Sequence, residues 1–234
     1  MKILIKLFLL FLFIFTNAGF ANEHLILDKA PIDLNDQASL QRGAKTFINY
    51  CLNCHSANYM RYNRLKDIGL SDKLIKDNLL FTAEKIGEPM KIAMTKKDAK
   101  AWFGVNPPDL SVEVRARGSD WIYSYLRGYY LDSSRPTGWN NTVFDKTEMP
   151  HILWKLQGDQ KFNEEHHTLE LTNPGTLTVK EYDALVGDLV NYLTFMSEPS
   201  KVKRLHMGYY VLLFLGLLLV LTVKLKKEFW KDIK

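Results

Sequence analysis

Residues 51–55 read Cys-Leu-Asn-Cys-His, and they contain the only two cysteines in 234 residues. Two thiols three positions apart, with a histidine directly after, suit three chemistries: a redox dithiol, half of a zinc site, or an attachment point for a covalent haem. Each needs a different setting. A thioredoxin-type pair needs a βαβ frame, whereas residues 30–65 read as a helix followed by a loop. A structural zinc site takes four ligands at short spacing. No third cysteine exists, and His166 and His167 lie more than 100 residues further on. A c-type haem asks only for two thiols to meet two vinyl groups and an imidazole to meet the iron. On this reading Cys51 and Cys54 carry the thioethers and His55 is an axial ligand. One motif then means one covalent haem c.

The ends of the chain give the compartment. Residues 1–21 hold Lys2 and Lys6, an apolar run from Leu7 to Phe15, and the small residues Ala18, Gly19 and Ala21. A basic start, a short apolar centre and a small-residue exit make a signal peptide, with cleavage expected after Ala21. Near the other end, 17 residues from Met207 to Val223 carry no charge. At 1.5 Å per residue they span roughly 26 Å, near the short limit for a membrane helix. Tyr209 and Tyr210 fit an interfacial belt, and Lys224, Lys226 and Lys227 can snorkel at the far end. The expected organisation is a signal peptide at 1–21, a haem domain at 22–205, a transmembrane anchor at 206–224 and a cytoplasmic tail at 225–234. The haem domain is expected on the periplasmic side of a bacterial-type inner membrane, and the signal peptide sets that orientation.

A net charge of +5 suggests a basic protein, but the excess sits in the terminal segments. Residues 22–131 hold 16 basic and 13 acidic side chains, and residues 132–200 hold 5 and 11. Nothing here asks for nucleic acid. The acidic second half, including Glu164 and Glu165, would attract a basic partner.

The pattern between the ends is mostly α. A helix capped by Asn35 or Asp36 places Leu40, Ala44, Phe47 and Cys51 on one face and leads into the cysteine motif. The paired prolines of "NPPDLS" (106–111) break the chain. "SDWIYSYLRGYY" predicts a helix capped by Ser119 or Asp120 and ending near Gly128. Thr178 with Glu181 forms a capping-box signature opening a helix through Met196. No run reads convincingly as a strand, with short hairpins in the loops left open. The fold class expected is a mostly α, cytochrome c-like haem domain with long loop insertions, plus one C-terminal transmembrane helix.

A second axial ligand must come from elsewhere. Methionine raises the potential of a c-type haem and suits electron transfer. The candidates are Met60, Met90, Met94, Met149 and Met196. Met60 is close behind His55, Met196 sits on an apolar helical face, and Met90 and Met94 lie in a lysine-rich stretch. Met149 follows a polar loop about 95 residues after the motif, as a returning ligand should, with His151 as a rival two residues on.

These residues resemble the cytochrome c1 family, the haem subunits of quinol–cytochrome c reductase. The resemblance rests on "CLNCH", "NPPDLSVEVRARG" (106–118), "RGYY" (127–130), "GWNNTVF…EMPH" (138–151) and the C-terminal anchor. It implies that Pro108 accepts the His55 ring N–H, that Arg115 pairs with a haem propionate, and that Met149 is the distal ligand. Trp121 stands near the family's tyrosine at the propionates, an inexact match. Gly43 and Phe47, with Leu189 and Tyr192, resemble the helix crossing of cytochromes c. The resemblance also implies cytochrome b and Rieske iron–sulfur partners in the membrane. The Rieske protein would be the electron donor and a cytochrome c the acceptor. On this reading the chain transfers one electron at a time and makes no bonds by itself. The alternatives are a free-standing membrane-anchored cytochrome c feeding an oxidase and a haem-based sensor.

Overall fold

The computed structural model describes residues 27–232. The expected signal peptide at 1–21 and the last two residues of the tail lie outside the described residues. The first helix among the described residues, α1 (Gln37–Thr46), is capped by Asp36, whose side chain accepts from the Ser39 amide at 3.0 Å. It continues as one π-helical turn, Phe47–Cys51. There the Leu52 amide donates to the Phe47 carbonyl at 3.0 Å, and the Cys54 and His55 amides both donate to Cys51. Single π-turns of this kind often mark functional positions. Here the turn ends the helix at the first cysteine and coils the motif back on itself.

Seven helices follow, with a 3₁₀ segment at Tyr62–Ile68 and irregular stretches between them. They are α2 (Asp72–Asn78), α3 (Lys96–Phe103), α4 (Glu113–Arg117), α5 (Ser119–Arg127), α6 (Trp154–Gln157), α7 (Val179–Ser197) and α8 (Lys201–Phe229). The core lies where α1 crosses α7. A Cβ on Gly43 would stand 2.0 Å from the Asp188 carbonyl oxygen, so only glycine permits the approach. Leu40, Ala44 and Phe47 face Leu189 and Tyr192 in the buried cluster, and the Phe47 and Tyr192 rings are 5.7 Å apart. Buried Asn191 ties the crossing to the N-terminal segment: its amide donates to the Asp33 carbonyl and Ser39 Oγ, and its oxygen accepts from the Asp33 amide. The capping box at Thr178–Glu181 is present and opens α7.

Three expectations shift. Neither Ser119 nor Asp120 caps α5; Gly118, at φ 93°, takes the cap position, and Asp120 instead accepts from the Ala30 amide at 2.9 Å. The helix that contains the expected anchor at 206–224 is longer than it, and α8 extends from Lys201 to Phe229. Finally, three antiparallel two-stranded sheets occupy the loops. They pair β1 (Ala57–Arg61) with β2 (Pro89–Met90), β3 (Tyr129–Leu131) with β4 (Trp139–Asn141), and β5 (Gly158–Asn163) with β6 (Thr168–Pro174). β6 reads TLELTNP, with Leu169 and Leu171 alternating with polar residues, but it is exposed along nearly its whole length, so that alternation marks no buried face.

α8 has a mean hydropathy of 2.1 over its most apolar stretch and buries none of it against the protein. Its length of 29 residues corresponds to about 44 Å at 1.5 Å per residue, more than the hydrocarbon thickness of a bilayer.

Candidate haem site

An apolar cavity of about 340 Å³ opens between the end of α1, the proline segment before α4, helix α5 and the loop before α6. Cys51, Cys54, His55, Pro108, Trp121 and Met149 all line it. Six of the seven residues singled out from the sequence therefore meet at one place, across some 100 positions of chain. Arg115 is the exception: it is exposed and stands outside the lining.

The proline segment is fastened to the residues just after the motif. The Leu110 amide donates to the Ser56 carbonyl at 2.9 Å, and the Tyr59 amide donates to Ser111 Oγ at 3.1 Å. Asp109 accepts from the Asn58 amide and side chain at 2.8 and 2.7 Å, and from the Ser111 amide at 2.9 Å. Burial alone would raise the Asp109 pKa, but these hydrogen bonds outweigh it and hold the carboxyl below its usual range. With the segment so placed, the Pro108 carbonyl lies 2.8 Å from His55 Nδ1. A carbonyl only accepts, so Nδ1 carries the proton and Nε2 keeps its lone pair for a metal. Burial lowers the His55 pKa, partly opposed by Pro108, Glu113 and Asp109, and so favours that neutral form.

Burial pushes the Cys51 thiol up to about 12, with Cys54 adding to the effect, and raises Cys54 as well. Thiols held neutral in apolar surroundings are poor nucleophiles. A redox dithiol would be tuned in the opposite direction.

On the other side, Met149 is half-buried, and its carbonyl accepts from Tyr129 OH at 3.2 Å. His151 also lines the cavity, 3% exposed, with its ring stacked on Tyr129 at 4.7 Å and edge-on to Trp139 at 5.1 Å. Burial brings its pKa down to about 4, against the opposing effects of Gln157 and Asp159. The rival methionines are elsewhere. Met60, Met90 and Met196 are core residues, and Tyr192 OH points at the Met90 sulfur at 3.9 Å. Met94 lines a separate cavity beside Cys54 and Asp109.

The donor set fits a c-type haem: two thiols, an imidazole with a free Nε2, and a thioether around one apolar space. The comparison with protein families agrees. A family description, the cytochrome C1 family, matches residues 28–233. The chain belongs to the cytochrome c1 family. Cytochrome c1 of Allochromatium vinosum is 47% identical, covering 99% of both chains. A protein of Nitrosomonas europaea named ammonia monooxygenase gamma subunit is 52% identical, covering 99% of this chain and 98% of that one. Cytochrome c1 of Rhodospirillum rubrum is 31% identical, covering 85% of this chain and 83% of the relative. Membership implies a covalently bound c-type haem and a role in electron transfer.

Within the cytochrome c1 frame, the residue that sequence reasoning passed over is Arg117. It is two positions after Arg115, roughly 200° around a helix of 3.6 residues per turn. It lines the cavity, with its guanidinium 4.4 Å from the Trp121 ring centroid and 5.7 Å from that of Phe144. Its Nε donates to Glu113 at 2.5 Å. Trp121 in turn stacks on Tyr125 at 5.0 Å. No local pattern marks it: Arg117 ends α4 and Trp121 opens α5, and the break at Gly118, φ 93°, brings the two together.

Proposed function

We propose that this chain relays single electrons through one covalent haem c as the cytochrome c1 subunit of a quinol–cytochrome c reductase. The observation that carries the reading is the meeting of Cys51, Cys54, His55 and Met149 around one cavity, with His55 Nδ1 held by Pro108. When bound, the haem supplies the one-electron iron couple. The chain does the rest. Cys51 and Cys54 would hold the ring by thioethers, Pro108 fixes the His55 tautomer, and His55 Nε2 and Met149 Sδ would be the protein donors to its iron. His151 is the rival, since it lines the cavity with a buried Nε2 that has no hydrogen-bond partner, but methionine sulfur is the donor that suits electron transfer. Arg117, held over Trp121, is placed to pair with a propionate. Apolar walls keep water from the centre.

The haem domain stands on the periplasmic side, α8 crosses the membrane, and the lysine-rich tail is cytoplasmic. Electrons come from a Rieske iron–sulfur protein, leave to a cytochrome c, and the chain assembles with cytochrome b and the Rieske subunit. The name of the Allochromatium relative and the family match support this assembly. The Nitrosomonas relative's name points to a monooxygenase. The residues of this cavity favour the haem reading.

The test is Met149→Leu in the membrane-bound protein, followed by optical spectra and a redox titration. Loss of sulfur ligation should lower the midpoint potential by about 100 mV or more, since 59 mV is tenfold for one electron. An unchanged spectrum and potential would remove Met149 from the site. Co-purification with b-type cytochrome and a Rieske protein tests the assembly.

A further inference from the structure

Met149 reaches the cavity at the end of a polar stretch, residues 132–149, which contributes little to the buried core. One side chain lies at the centre of that stretch. Asn140, on β4, is 5% exposed and uses every hydrogen-bonding position it has. Its Nδ2 donates to Asp132 Oδ2 and to Asp145 Oδ1, each at 3.0 Å. Its Oδ1 accepts from the Asn141 amide at 2.9 Å and from the Lys146 amide at 2.8 Å. An amide side chain offers two donors and two lone pairs, so Asn140 is saturated.

The Lys146 contact matters most. Lys146 sits at φ 58°, a left-handed conformation that a lysine seldom adopts without being held there. From that turn the chain is gripped at every step to the ligand. Arg135 Nη2 donates to the Lys146 carbonyl at 3.1 Å and to Glu148 at 3.2 Å. Thr147 Oγ1 is 2.8 Å from Tyr125 OH, and Tyr129 OH reaches the Met149 carbonyl. The later grips act on a chain whose direction is already set at residue 146.

We infer that Asn140 is a positioning residue for Met149: by bridging Asp132, Asp145 and the left-handed turn at Lys146, it holds the loop in the one path that presents the thioether to the site. This rests on the reading of Met149 as the distal ligand. Asn140 acts through the backbone and touches neither the cavity nor its occupant, since it is absent from the cavity lining. A cluster of carboxylates bridged by one neutral amide also explains why asparagine, and not aspartate, stands there: a third carboxylate would repel both partners and could not donate.

The test uses the haem-loaded full-length protein and compares Asn140→Asp with Asn191→Asp. Asn191 is also buried, and its side chain makes three hydrogen bonds, but it serves the α1–α7 crossing. Carbon monoxide binding to the reduced protein reports how often the sixth position opens. For Asn140→Asp it should be at least roughly tenfold faster than wild type, as loss of hydrogen bonds to charged partners implies. The midpoint potential should fall, while Asn191→Asp stays within about twofold of wild type at a similar loss of thermal stability. Equal opening in both variants, or none in Asn140→Asp, overturns the inference. Met149→Leu is run alongside. If it fails to open the site, the ligand reading itself has failed; if it opens the site and Asn140→Asp does not, only the positioning role has failed. Should Asn140→Asp not accumulate, Asp145→Ala at the exposed end of the same bridge decides. Faster binding than wild type supports the role, and wild-type binding overturns it.

Discussion

Two regions bring sulfur to the same cavity, and they are held by different physics. Cys51 and Cys54 arrive within four residues at the end of a helix whose inner face is wholly buried. Met149 arrives from a loop built of Asn, Asp, Thr, Arg and Tyr contacts. The first region is fixed by apolar packing and one close backbone approach. Burying a side chain such as Phe47 or Leu40 contributes about 1.5–3 kcal/mol each. The second is fixed by hydrogen bonds, each contributing about 1 kcal/mol net, somewhat more when a partner is charged. The cysteine side is therefore the rigid half of the site. The methionine side is the adjustable half, where small changes move Met149 without unfolding the domain.

The comparison breaks most severely at Gly43. A side chain there meets the Asp188 backbone at 2.0 Å and Tyr192 Cβ at 2.7 Å, and neither can step aside. Gly43→Val should cost at least about 4 kcal/mol, in the range where overpacking and broken crossings unfold domains. The measurement is thermal unfolding and yield of haem-loaded protein. The effect should exceed that of any single substitution in the 132–149 loop. A Gly43→Val protein with wild-type stability would show that the helix crossing is not what fixes the cysteine side.

A smaller effect separates the two regions by pH. Asp109 is the polar lock of the cysteine side, and its carboxyl is held below the usual range by Asn58 and Ser111 against the cost of burial. A carboxyl depressed in the folded state adds stability above its unfolded pKa, and that stability is lost as pH falls through the folded value. The native protein should therefore weaken below about pH 4, the ordinary carboxyl range. Asp109→Asn removes the charge-assisted part of the bonds. It should cost about 1–3 kcal/mol at neutral pH and flatten the acid limb of the unfolding curve. Stability against pH, measured in both proteins, checks this. An acid limb unchanged by the substitution would mean that Asp109 does not contribute to it.

How much of this was legible follows the same division. The cysteine side could be read because it is contiguous: the five-residue motif, the helical spacing of Leu40, Ala44 and Phe47, and the capping box of α7 are local patterns. The close approach at Gly43 was reached through likeness to the helix crossing of cytochromes c, not from a local pattern. The methionine side could not be read from local patterns. Asn140 bonds to Asp132, Asp145 and Lys146, and nothing in "GWNNTVFDK" marks which asparagine is buried. Met149 was reached by elimination and by likeness to a family. The paired strands were left open because they are short or exposed: β2, β3 and β4 have only two or three residues, and the alternation of Leu169 and Leu171 in β6 faces no core. Asp120 was misread as a cap because its actual partner, the Ala30 amide, lies 90 residues away.

The finest distinction concerns two arginines on one short helix. Arg115 faces outward, and Arg117 faces the cavity over Trp121. A positive charge beside a redox centre disfavours the more oxidised, more positive state, so removing it lowers the potential. Arg117→Leu should lower the midpoint by tens of millivolts, since about 59 mV corresponds to tenfold for one electron. It should also weaken the salt dependence of that potential, because a partly exposed charge is screened. Arg115→Leu keeps the same net charge change but acts from the solvent side, and should move the midpoint by about 10 mV or less through long-range screening alone. Potentiometric titration of the two variants at two ionic strengths separates them. Equal shifts would mean that only net charge matters. A larger shift for Arg115→Leu would return the propionate contact to the residue that the family likeness first suggested, and would place the rigid end of the site one half-turn from where the cavity puts it.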